Sequence, residues 1–70
     1  MTVNYKDFKN NEIIFAVKNP EYIPNINEKI CIRCNSTNII GFVIDKDIIL
    51  YDFDKNCFGT IIDIIVKINS

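Results

Sequence analysis

The sequence predicts an all-β domain, a small antiparallel sheet or barrel, and three observations carry that prediction. Sixteen of the 70 residues are Ile, a β-branched type that suits a pleated, half-buried surface. From residue 11 onward, apolar side chains recur at period two or in short runs, as strands require. The segments between them are rich in Asn, Asp and Pro, the residues that make turns.

The elements follow in order. Residues 3–10 place Val3, Tyr5 and Phe8 on neither period, which predicts a short helix or an extended arm. Residues 12–18 alternate, with Ile13, Phe15 and Val17 on one face and Ile14 and Ala16 on the other, and predict a strand. Pro20 and Pro24 withhold two backbone donors, so residues 19–25 read as a loop or cross-over. Residues 29–33 lead into Cys31 and Cys34, and Asn35 to Asn38 supply a tight turn. Ile39 to Ile44 and Ile48 to Phe53 flank Asp45-Lys46-Asp47, which reads as a β-hairpin with a short polar loop. A second turn spans Asp54 to Gly59. The last strand, Thr60 to Ile68, puts Ile62, Ile64, Val66 and Ile68 on one face and Ile61, Asp63, Ile65 and Lys67 on the other.

Composition bounds the rest. Residues 1–70 read as one domain, of a size at which a core alone stabilises only marginally, so a metal, disulfides, a partner subunit or unusually dense packing is expected as reinforcement. Eight basic against nine acidic residues give a net charge of −1, and the Lys side chains are scattered, with Arg33 the single arginine. A phosphate-gripping basic face is therefore not expected. Asp45, Asp47 and Asp52 form an acidic segment that reads either as a solvated hairpin end or as a surface for a basic protein partner. An odd number of cysteines and no apolar leader at Met1-Thr2-Val3 predict a reducing, cytoplasmic setting, and no apolar run approaches a membrane span. Seven Lys to one Arg, with abundant Ile and Asn, points to AT-rich coding DNA, as in a low-GC bacterium, its phage or a large virus.

The chemistry-bearing pattern is Cys31-x-x-Cys34 followed by Asp54-x-x-Cys57, close to the spacing of a four-ligand zinc site. Three readings stay open for these residues: a structural zinc, ordinary buried thiols, or a redox pair at Cys31 and Cys34. Asp52, Asp54, Asn56 and Asp63 imitate part of a calcium loop, but Cys57 stands where that loop needs Gly. There is no His, no Gly-rich phosphate loop and no nucleophile beside a base, so the residues predict a non-enzymatic domain. The aromatic residues Phe42, Tyr51 and Phe53 read as core or, less simply, as a base-stacking platform.

Cys31-Ile-Arg-Cys34-Asn-Ser-Thr-Asn-Ile39 resembles the first knuckle of a zinc ribbon, and the resemblance covers roughly residues 29–68. It implies a three-stranded antiparallel sheet held by zinc on Cys31, Cys34, Cys57 and Asp54, with Asp54 where the family has Cys and Phe58 where it usually has Gly. SH3-like and OB-like barrels are the rival architectures. The function expected is a protein-interaction module that offers a sheet edge or the acidic segment to a partner, or to a second copy. A nucleic-acid-binding ribbon and a small phage-encoded inhibitor of a host enzyme are the alternatives.

Overall fold

The structure is a computed structural model that describes residues 1–54 and 57–69, with side chains described for 1–52 and 59–69. Among these, all regular structure is strand: β1 (Thr2–Asp7), β2 (Ile13–Lys18), β3 (Lys29–Cys34), β4 (Thr37–Asp54) and β5 (Cys57–Ile68). They form one open sheet in the order β2-β1-β5-β4-β3, so the domain is all-β but is not a closed barrel. Three of the four pairings are antiparallel; β1 lies parallel to β5.

Residues 3–10 depart from the expected helix or extended arm. The segment is neither helix nor arm: Val3 and Tyr5 alternate into the core, and β1 sits between β2 and β5, near the middle of the sheet. Only two inward residues fit this short strand, too few for period two to stand out along the sequence.

A larger correction concerns the hairpin expected at Asp45-Lys46-Asp47. These residues lie inside β4, which runs unbroken through 18 residues, with a bulge between Val43 and Asp45. A two-residue hairpin needs left-handed backbone, which Asp-Lys-Asp supplies poorly. The reversal occurs instead at Asn35-Ser36, where φ is 48° and 67°, a two-residue turn of the primed type that follows the right-handed twist of its strands. Asn11, Asn19 and Asn27 also have positive φ, so Asn carries the turns in a chain with two glycines, neither of which does.

One face of the sheet forms the core from Val3, Tyr5, Ile32, Val43, Ile62, Ile64 and Val66, with Ile14, Val17, Ile23, Ile30, Ile39 and Ile68 packed around them. The alternation expected of the last strand is thus the one observed. Gly41 is needed where β4 crosses β5, because a Cβ there would meet the Lys67 carbonyl oxygen at 2.5 Å and Val66 Cγ1 at 2.7 Å. On the opposite face Asp63 is nearly buried between β1 and β4. Lys6 Nζ approaches its Oδ2 at 3.0 Å and Asn4 Nδ2 donates to its Oδ1 at 3.1 Å. Asp47 lies directly across from Asp63 in the ladder, so Lys6 offsets a site flanked by a second carboxylate.

Candidate functional site

The lengths of the strands decide which surface is left uncovered. β1 pairs with β5 only over Ile61–Val66, and β3 pairs with β4 only over Thr37–Phe42. From Leu50 and Thr60 onward β4 and β5 continue past both, so a two-stranded ribbon extends from the body of the sheet. The domain is correspondingly elongated, 44 × 23 × 21 Å. Where β4 enters this ribbon, opposite Ile62, Ile61 and Thr60 of β5, Ile48 is 67%, Ile49 41% and Leu50 77% exposed. Consecutive strand residues point to opposite faces, so the ribbon presents large apolar side chains on both faces at once. Gly59 lies under Tyr51, whose ring occupies the space a Cβ would take, and this ring covers the bare backbone of β5.

Hydrogen-bond parity identifies the free backbone groups. Asn69 donates to the Ile40 carbonyl at 2.9 Å, whereas Phe8 donates to the Val66 carbonyl at 2.9 Å. Odd residues of β5 therefore address β4, and even residues address β1. Through the register Ile65 to Asp45, Asp63 to Asp47 and Ile61 to Ile49, the odd residues of β4 are bonded to β5. The N–H and C=O groups of Lys46, Ile48, Leu50 and Asp52 face outward, with no backbone partner among the described residues. The outward direction agrees with Lys46, whose N–H donates to Asp45 Oδ1 at 2.8 Å.

The acidic surface expected at Asp45, Asp47 and Asp52 is not one surface. Asp45 and Asp47 share the outer face with Asp63, while Asp52, an odd number of residues further along a straight register, points to the other face. All three are exposed.

The cysteines occupy another part of the sheet. Cys31 and Cys34 are free and exposed on the edge strand β3, which corrects the buried-thiol reading for these two. An odd spacing in a strand sends their side chains to opposite faces, a poor start for a shared metal or a mutual disulfide. Cys31 pairs with Ile40, and Asp54 lies fourteen residues further along β4, paired with Cys57. That is roughly 46 Å of strand at about 3.3 Å per residue, less what the two bulges of β4 take up. The side chains of Asp54 and Cys57 lie outside the described residues, as do those of Phe53 and Phe58. Among the described residues no group of three His, Cys, Asp or Glu side chains converges as a metal site. The backbone thus does not gather the four residues as a zinc ribbon would.

A concave feature lies between the two edge strands, where the sheet fails to close. A cavity of about 390 Å³ is lined by Tyr5, Phe15, Tyr22, Pro24, Ile30 and Arg33, among others. Its rim is fixed by the β2–β3 loop, where the Tyr22 hydroxyl donates to Glu28 at 2.6 Å and the Asn25 N–H donates to Glu28 Oε1 at 2.9 Å. The Tyr22 hydrogen bond, with the Asn25 amide, holds the Glu28 carboxyl below its ordinary range, and the same bond raises the Tyr22 phenol. Burial raises Tyr5. Sequence reasoning missed this groove, since it is formed by residues on three separate strands and the β2–β3 loop.

Comparison with protein-family models, curated proteins and solved structures gives no match. Among the described residues no helix is long and apolar enough to cross a membrane.

Proposed function

We propose that this domain is a non-enzymatic protein-interaction module whose docking element is the β4–β5 ribbon. The observation that supports the reading is the exposed run Ile48-Ile49-Leu50 on a strand whose outer edge has no partner among the described residues. Contiguous apolar surface on a soluble domain marks an interaction site, and an open strand edge adds directional hydrogen bonds to it. Charge gives nucleic acid less support: Lys6 is engaged by Asp63, Arg33 Nε donates to Asn38 at 3.1 Å, and the outer face of the ribbon base is acidic.

The test is the double variant Ile48→Lys/Leu50→Lys. It is expected to abolish binding of an apolar fluorescent dye while leaving the melting temperature within about 3 °C of the parent, the response of an exposed site of this size of domain. Unchanged dye binding, or collapse of the fold, would show that the ribbon is not a free adhesive surface.

A further inference from the structure

We propose that the partner of this ribbon is a second copy of the chain, paired antiparallel along the free edge of β4 about a two-fold axis at Ile49. The inference rests on the interaction-module reading and names the occupant of that same surface.

It comes from the order of side chains along the edge. Lys46, Ile48, Leu50 and Asp52 carry the outward backbone groups and share one face. Read in the reverse direction the series is complementary to itself: cation, apolar, apolar, anion. An antiparallel copy centred on Ile49 sets Lys46 opposite Asp52 of the second copy, and Ile48 opposite Leu50 of the second copy. Symmetry repeats both pairs.

The backbone obeys the same register. Ile48 and Leu50 of the second copy exchange both N–H to C=O bonds, as a close hydrogen-bonded antiparallel pair does, and the two Ile49 residues form the non-bonded pair between them. Shifting the register by two residues opposes Ile48 to Asp52 in one direction and Lys46 to Leu50 in the other, each a charge against an apolar side chain. Space is also available. The segment leading into β3 makes its last bonds to β4 at Val43, whose N–H donates to the Glu28 carbonyl at 3.0 Å and whose carbonyl accepts from the Asn27 N–H at 2.7 Å, before the stretch that begins at Lys46. An interface of this kind is isologous, the same patch on both subunits, and closes at two copies. It also covers both an open edge and exposed Ile and Leu that otherwise invite uncontrolled pairing.

Sedimentation equilibrium over a concentration series tests the proposal, and the parent chain is expected to show a monomer–dimer equilibrium. Lys46→Asp and Asp52→Lys each oppose like charges across the axis and are expected to weaken dimerisation at least about tenfold. The double exchange Lys46→Asp/Asp52→Lys restores the complementary order and is expected to return the dissociation constant to within about threefold, a rescue that loss of folding cannot imitate. In a background with Cys31→Ser, Cys34→Ser and Cys57→Ser, Ile49→Cys is expected to oxidise to a covalent dimer, whereas Ile48→Cys, which faces Leu50 of the second copy, does not. A chain that stays monomeric at every concentration, a double exchange that fails to restore the dimer, or equal cross-linking at both positions overturns the inference. Should the chain be monomeric while Ile48→Lys/Leu50→Lys still abolishes dye binding, the ribbon remains an interaction surface and only its partner is wrong.

Discussion

Lys6→Met is the most informative perturbation of stability. Lys6 Nζ lies 3.0 Å from Asp63 Oδ2, with side chains 21% and 10% exposed, in the middle of the sheet. At that separation and an effective dielectric of about 20, the attraction is of order 5 kcal/mol before desolvation is subtracted. Removing one partner of a buried pair typically costs about 3–5 kcal/mol, because the remaining charge is left uncompensated. Here the remaining carboxylate also stands across from Asp47, so about 3 kcal/mol is expected even with the residual exposure. A chain of this length has roughly 4–10 kcal/mol of total stability, so the variant forfeits a large part of it. Urea unfolding followed by circular dichroism measures the loss. Lys6→Met/Asp63→Leu, which removes both charges, is expected to recover most of it, giving a coupling of about 2 kcal/mol or more in the double-mutant cycle. A single-variant cost below about 1 kcal/mol, with no coupling, would refute the placement of this pair inside the sheet.

Other consequences are as direct. Ile64 is fully buried at the centre of β5, and Ile64→Ala is expected to cost about 2–5 kcal/mol in the same unfolding assay. Ser36 has φ of 67°, so Ser36→Gly is expected to stabilise by about 1 kcal/mol, read as a rise of roughly 4–8 °C in melting temperature. The Tyr22–Glu28 bond gives pH dependence at both ends of the scale. The Glu28 carboxyl is lowered by folding, so its contribution is present above the unfolded carboxyl range and is lost as pH falls through the folded value. The Tyr22 phenol is raised, so its contribution is present below the unfolded phenol range and is lost as pH rises through the folded value. Tyr22→Phe is expected to flatten both limbs of melting temperature against pH, and an unchanged profile would show that the bond does not form in solution. Chelation is expected to leave the melting temperature unchanged, since the backbone keeps Cys31 and Cys34 far along the sheet from Asp54 and Cys57; a large fall would show a metal bridging them in a different fold.

The strands legible in the sequence were those with sustained alternation. Ile62 to Ile68 repeat at period two over enough residues to declare a face, and Asn35-Ser36 announced a turn because Asn accepts left-handed backbone; Ile13 to Val17 declare a strand but not its face, since a bulge against Tyr5 and Lys6 brings Ile14 with Val17 to the core and leaves Ile13 55% exposed. Asp45-Lys46-Asp47 misled because three polar residues between apolar runs imitate a loop. The sign against it was available, since none of the three is Gly or Asn. What no local pattern shows is how far each strand is paired. Ile48-Ile49-Leu50 reads from sequence only as part of a strand, and becomes an exposed edge because β3 stops at Phe42, which is set by a segment distant along the chain. The cysteine spacing is limited in a similar way: it fixes separation along the chain, whereas the register of β4 fixes separation in space.

Amide hydrogen exchange resolved by residue, on the uniformly labelled chain at low and at high concentration, tests the account most directly. A continuous β4 with a free, self-pairing edge predicts slow exchange at Asp47, Ile49 and Tyr51 under both conditions, and exchange at Ile48 and Leu50 that is fast when dilute and slow when concentrated. Uniformly fast exchange through Asp45, Lys46 and Asp47, or no odd–even alternation between residues 47 and 51, would contradict it.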